Sequence, residues 1–122
     1  MIDWTITMEY LLERSSRHGL DPYDLLNETP ESVADCPYET KAYWEGRDIS
    51  HIKSQHNSPE LADDPTNIMA EDPSTNRARG SSDMTDAEIR EAAEENLAFA
   101  ESIDNSYHYD LSETFWLGYG FA

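Results

Sequence analysis

The sequence predicts an α+β fold in which a small β-hairpin and the helix after it are flanked by N-terminal and C-terminal helices. Two apolar runs of strand length, within residues 48–52 and 67–70, are separated by Pro59 and Asp63-Asp64-Pro65, which interrupt regular structure. Helical signals follow at residues 72–77, and helical periodicity marks both ends of the chain. A chain of 122 residues suits a single domain with one modest core.

Residues 1–46 are predicted to form a helical N-terminal packing region. Apolar side chains recur at helical spacing in a first helix ending near Gly19, and they are Trp4, Met8, Leu11 and Leu12. Two short helices are expected to start near residues 21 and 29. A further helix over 38–44 leads into Gly46, where the chain turns into the first strand. Trp44 is expected to pack beneath the hairpin.

Residues 47–80 are predicted to form strand, irregular loop, strand and helix. Asp48-Ile49-Ser50-His51-Ile52 alternates like a short strand, and residues 67–70 supply the second. Asp72 or Ser74 is the expected N-cap of the helix that follows, with Pro73 in its first turn.

Residues 81–122 are predicted to form an acidic helix and an aromatic C-terminal tail. Thr85 and Glu88 have the spacing of a capping box, and the helix is expected to run to about residue 103. Its expected apolar stripe is Ile89, Ala93, Leu97, Phe99, Ala100 and Ile103. The acidic face is either solvated or a dock for a cationic partner. Six aromatic residues in the last sixteen either fold back over the core or insert into another subunit.

The chain carries 26 acidic and 8 basic residues, a formal charge of −18. Such an envelope opposes binding to free duplex DNA, because binding depends on contacts between cations and phosphates. Half of the basic residues nevertheless lie within 47–80. Three explanations of the acidity stay open: a halophilic or marine source, a surface for a basic partner, or mimicry of nucleic acid.

Other sequence features narrow the class of protein. Cys36 is the single cysteine, so neither an intramolecular disulfide nor a Cys-x-x-Cys zinc site is expected. No run approaches the roughly 18 apolar residues of a membrane span, and no secretion signal is recognisable. We therefore expect no membrane partner and a location in the cytoplasm of a host cell or in a virion.

The polar residues of 47–80 carry a family resemblance. The segments DISHI (48–52), TNI (66–68) and TNRARG (75–80) follow one another along the predicted elements. They resemble the HNH endonuclease family, with its ββα-metal fold, and are most similar to its phage-type and RNA-guided members. In those proteins an Asp-x-Asp-His-Ile strand leads through a loop to an Asn and then to an Asn-Arg-x-x-Gly helix.

The resemblance implies a role for each of these residues. His51 would be the catalytic general base that activates water, and Asn67 would brace the loop. Asn76 would bind Mg²⁺ or another divalent cation, with Ser50 as a weak second ligand. Two arginines of the helix would contact phosphate, and these are Arg77 and Arg79.

Ser50 departs from the family pattern, which usually has an Asp immediately before the His. A neutral hydroxyl is a poor ligand for a hard dication. Asp48 shares the strand face but lies about 6.6 Å along it. Asp72 or Asp83 could supply an anionic ligand from the helix side.

Two functions from different classes follow. The first is a divalent-metal-dependent DNA endonuclease. The second is a catalytically inactive, HNH-derived structural or interaction protein of a larger assembly, such as a phage virion component. The second would need no cofactor and would bind protein subunits through its acidic faces and aromatic C-terminus.

Overall fold

The computed structural model describes residues 2–118, with the side chains of residues 2–103. Its helices are α1 (Thr5–Ser16), α2 (Pro22–Asn27), α3 (Glu31–Ala34), α4 (Pro37–Glu45), α5 (Pro73–Arg79) and α6 (Asp86–Gly118). The strands are β1 (Asp48–His51) and β2 (Ile68–Glu71), and the loop between them contains two 3₁₀ turns, Pro59–Leu61 and Pro65–Asn67. This arrangement confirms the α+β class, with helices on both sides of a two-stranded hairpin.

The two strands pair antiparallel, with Asp48 opposite Glu71 and His51 opposite Ile68. The bond from Ile52 N to Asn67 O, 2.8 Å, extends this pairing past the strand ends. Like charges directly across a hairpin destabilise it, so the acidic pair at its open end requires neutralising partners. We call residues 47–80 the hairpin–helix unit.

The core lies between the hairpin, α1–α4 and α6. Trp44 and Tyr43 are fully buried in the same apolar cluster as Ile49 and Ile68, so Trp44 packs against the hairpin as predicted. The Trp44 indole donates a 2.9 Å hydrogen bond to the Thr29 hydroxyl, which satisfies its polar edge.

The apolar stripe predicted for α1 is wrong at one position. Leu12 is 53% exposed, whereas Thr7 and Ser15 are buried. Thr7 Oγ1 donates to the Pro37 carbonyl at 2.8 Å, so the inward side of α1 includes a buried polar contact with α4 as well as apolar side chains.

The predicted stripe of α6 is correct at Ala100 and Ile103, which are buried, but wrong at Ala93 and Leu97, which are exposed. Leu97 is 57% exposed, and the buried positions include Ala92, Asn96 and Ala100. Asn96 Nδ2 donates to the Ala70 carbonyl of β2 at 2.7 Å, and Asn96 Oδ1 accepts from the Arg47 guanidinium at 3.0 Å. A two-stranded sheet leaves carbonyls without strand partners, and an amide satisfies one of them where leucine could not.

The start of α6 is the one predicted. Thr85 N donates to Glu88 Oε1 at 2.8 Å and Glu88 N donates to Thr85 Oγ1 at 3.1 Å, which is a complete capping box. The helix continues beyond the expected residue 103 to Gly118. The alternatives for the aromatic tail concern side chains outside the described residues. Across the described residues, no helix combines the length and apolarity needed to cross a bilayer.

Candidate functional site

His51 and Asn76 line the same cavity, which has a volume of about 340 Å³. We call it the His51 cavity. It is lined from the turn after α1 by His18, from the loop after β1 by Gln55 and His56, and from α5 by Arg79. None of its described lining residues carries a carboxylate, although the chain has 26 acidic residues. The two residues on which the resemblance most depends therefore come together.

One ring nitrogen of His51 is held by a backbone carbonyl. Its Nε2 lies 2.8 Å from the Ala62 carbonyl oxygen, which can only accept, so the neutral ring carries its hydrogen on Nε2. Nδ1 is then the nitrogen that can take up a proton. The Gln55 amide nitrogen lies 3.5 Å from Nδ1 and 3.1 Å from Nε2, and only Nδ1 can accept from it.

His18 packs against His51, with the ring centroids 5.4 Å apart and the rings tilted by 52°. Burial lowers the pKa of His18, and the nearby positive charges of His51, Arg14 and Arg17 lower it further. His18 follows the end of α1 and precedes Gly19, a position where a histidine commonly serves as a helix C-terminal charge. The structure instead places a second imidazole, biased toward its neutral form, beside the expected base.

Asn76 is fully engaged by its neighbours. Its Nδ2 donates to Asp48 Oδ2 at 3.0 Å, and its Oδ1 accepts from Ser50 Oγ at 3.1 Å. The chemistry fixes this orientation, because a flipped amide would set its oxygen against the carboxylate. The oxygen that the resemblance assigns to a metal thus accepts a hydrogen bond from the other expected ligand.

Arg79 makes an internal ion pair beside these two groups. Its guanidinium binds the Glu71 carboxylate through both terminal nitrogens, with Nη1 2.8 Å from Oε2. Nη2 also donates to Ser50 Oγ at 2.9 Å and lies 3.4 Å from Asn76 Oδ1. The side chains of Arg79 and Glu71 are 6% and 2% exposed. Hydrogen bonding to Glu71 raises the pKa of Arg79, so the guanidinium stays charged.

This donor set does not fit a divalent cation. Ser50 and Asn76 are neutral, whereas hard dications prefer anionic oxygens. A permanent positive charge lies within hydrogen-bond distance of Ser50 and would repel a second cation at close range. Nowhere in the part of the chain with described side chains do three His, Cys, Asp or Glu residues converge as metal ligands.

The two acids that could have replaced the missing ligand have other roles. Asp72 caps α5 by accepting from Thr75 N at 3.0 Å. Asp83 accepts from Ser54 N at 2.8 Å and from the Asn57 amide at 3.2 Å, which holds the loop after β1. Both hydrogen-bond sets lower the pKa of the carboxyl that accepts them.

Asn67 ties together the two ends of the loop between the strands. Its Oδ1 accepts from Lys53 N at 2.9 Å, and its Nδ2 donates to the carbonyls of Lys53 and Leu61 at 3.0 and 3.2 Å. Asn67 is 6% exposed, so these bonds are shielded from water. The amide holds the backbone two residues beyond His51.

Arg77 is the second arginine that the resemblance assigns to phosphate. Its side chain is 76% exposed, and its guanidinium lies 3.7 Å from the Asp48 carboxylate. An exposed pair of this kind is weak, so Arg77 is available for contacts from solvent. Arg79, by contrast, is committed to Glu71.

Sequence reasoning missed Glu71. It is the last residue of β2 and 1% exposed. The predicted second strand ended at residue 70, whereas the observed register sets Glu71 opposite Asp48, and a buried acid must find a cation. The next arginines along the chain are those of α5.

Comparison with protein-family models, with curated proteins and with solved structures found no match.

Proposed function

We propose that this chain is an HNH-like protein that has lost metal-dependent hydrolysis and acts as a structural or interaction protein in a larger assembly, such as a phage virion. The observation that carries the proposal is the Arg79 guanidinium, which binds Glu71 and Ser50 and lies 3.4 Å from the Asn76 oxygen. A fixed internal cation stands beside the groups that would otherwise hold a catalytic one.

The distribution of positive charge also favours a non-catalytic role. Two of the four basic residues in the hairpin–helix unit, Arg47 and Arg79, have side chains 5% and 6% exposed. Arg47 contacts Glu95 at 3.1 Å, so both guanidinium groups are paired with acidic residues of this chain. Among the basic residues of this unit, only Lys53 and Arg77 are exposed. Two exposed cations offer few contacts to the phosphates of a nucleic acid, in a chain whose formal charge is −18.

Protein subunits are the proposed partners. The outer face of α6 presents Glu91, Glu94 and Glu101 to solvent. Large apolar side chains are also exposed on other elements, among them Ile6 at 69% and Tyr38 at 73%. Together with the six aromatic residues at the C-terminus of the sequence, these features suit a protein surface with aromatic and basic groups better than a nucleic acid.

A DNA endonuclease is the competing proposal, and one observation favours it. His51 has its Nε2 hydrogen bonded to Ala62 and its Nδ1 facing Gln55, so a proton acceptor lines the same cavity as Asn76. Such a site would have its general base, His51, but would lack the aspartate that usually binds the metal, because Ser50 takes its place.

A plasmid-nicking assay separates the two proposals. Purified protein is incubated with supercoiled DNA and Mg²⁺ or Mn²⁺, alongside His51→Ala and the matched control His56→Ala, an exposed histidine of the same cavity. We expect no nicking by any of the three. Nicking by the wild type and the control that disappears in His51→Ala would establish the endonuclease and overturn the proposal.

The assembly role is tested by truncation. Deleting residues 115–122 removes four aromatic residues and no charged ones. We expect light scattering after size-exclusion chromatography to show a smaller oligomer than the full chain forms, with unchanged helical circular dichroism. A full chain that is monomeric, and stays so after the deletion, would argue against assembly through this segment.

A further inference from the structure

We infer that Arg79 is the resident cation of the hairpin–helix unit: its guanidinium, with Glu71 as counter-ion, cross-links the strands and the helix in place of a bound metal ion. The proposed function, loss of metal-dependent hydrolysis, requires only that the aspartate ligand at position 50 be absent. This inference goes further, because it assigns a positive role to two residues and makes the unit independent of divalent cations.

The guanidinium contacts both strands of the unit and the helix α5 that carries it. It binds Glu71 at the end of β2, Ser50 on β1 and, at 3.4 Å, Asn76 one turn earlier on α5. It also lies 3.7 Å from Glu88 in the first turn of α6. A planar fork with five N–H donors can make these contacts at once, as a lysine ammonium could not.

Burial makes this ion pair decisive for the fold. Glu71 is 1% exposed and stands directly across the hairpin from Asp48. A buried carboxylate without its cation is strongly destabilising, whereas removing both members of a buried pair is often tolerated. Asp48 has its own partners, since it accepts from Asn76 at 3.0 Å and lies 3.7 Å from Arg77.

Ser50 is the residue that makes a monovalent cation sufficient. It is 1% exposed and hydrogen bonds to both Arg79 and Asn76. An aspartate there would add a buried negative charge beside Glu71, which one guanidinium could not neutralise. Charge at strand position 50 can therefore be balanced in two ways. One combines Ser50 with the Arg79 guanidinium, and the other combines an aspartate with a divalent cation.

Thermal unfolding in EDTA and in Mg²⁺ or Mn²⁺ tests the first consequence. We expect the wild-type Tm to be the same in all three. Arg79→Met should lower Tm by about 10 °C or more, and Glu71→Met with Arg79→Met should recover more than half of that loss. Arg77→Met, which removes the exposed arginine two residues earlier, is the matched control and should change Tm by about 2 °C or less.

The converse variant tests the second consequence. Ser50→Asp with Arg79→Ala should bind Mn²⁺, and millimolar Mn²⁺ should raise its Tm, or restore its circular dichroism if it is unfolded in EDTA. A wild type stabilised by Mn²⁺ as much as this variant would overturn the inference, as would Arg79→Met with wild-type Tm. The nicking assay measures DNA cleavage, whereas the two tests here measure thermal stability and Mn²⁺ binding. Failure of this inference is therefore distinguishable from failure of the proposed function.

Discussion

Asn96 provides the sharpest test of how α6 packs on the hairpin. Its amide is 7% exposed and joins the Ala70 carbonyl at 2.7 Å to the Arg47 guanidinium at 3.0 Å. Replacing it with alanine leaves a buried carbonyl unsatisfied, at a cost of about 1–3 kcal/mol, and removes a charged hydrogen bond worth about 1.5–3 kcal/mol. The higher helix propensity of alanine returns about 0.5 kcal/mol.

The net loss for Asn96→Ala is therefore about 2–5.5 kcal/mol, or about 8–22 °C in Tm at about 4 °C per kcal/mol for a chain of this size. Urea unfolding followed by circular dichroism gives the free energy of unfolding directly. The matched control is Leu97→Asn, one residue along the helix and 57% exposed in the wild type. It should cost about 0.5 kcal/mol or less.

The reasoning is refuted if Leu97→Asn destabilises the protein more than Asn96→Ala. That result would mean that the apolar periodicity of the sequence, and not the polar contact, sets which face of α6 is buried.

Three other predictions concern the loop brace and the pH dependence of stability. Asn67→Ala should cost about 1–3 kcal/mol by leaving the part-buried Lys53 and Leu61 carbonyls without this partner, and amide exchange should accelerate first in the loop between the strands. Uniform exchange would contradict this. The pKa of His18 lies below its usual 6.5, so the contribution of His18 to stability is constant above that pH and falls as pH drops below it. His18→Gln should flatten that fall, and an unchanged slope would refute the prediction. Hydrogen bonds within the α5 cap lower the pKa of Asp72 to about 2, so its contribution is present above about pH 4 and is lost towards pH 2. Asp72→Asn keeps a capping side chain without the titration and should reduce that acid loss, which an identical acid midpoint would disprove.

Local signals in the sequence gave the elements of the fold. Asp72 before Pro73 starts α5, and Thr85 with Glu88 starts α6, each through hydrogen bonds within one turn of chain. Such bonds depend only on near neighbours, so sequence spacing predicts them.

Helix phase was less predictable. Leu12 and Leu97 fit apolar stripes yet are exposed, whereas Thr7 and Asn96 are buried, where they donate to the carbonyls of Pro37 and Ala70. Periodicity counts apolar side chains, but an unpaired carbonyl on a neighbouring element can outweigh one leucine. That carbonyl is not visible from the sequence of the helix.

By itself, the sequence determined the order of strand, loop, strand and helix, and the spacing that brings His51 and Asn76 to one cavity. Only the tertiary structure decided what Arg79 does. An arginine on a short helix can face a ligand or an internal acid, and the choice depends on whether a buried carboxylate lies within reach. Glu71 lies within reach of Arg79, because the hairpin register sets it beside α5. Leaving the buried Glu71 carboxylate unpaired would cost more free energy than removing the Arg79 guanidinium from water to pair with it.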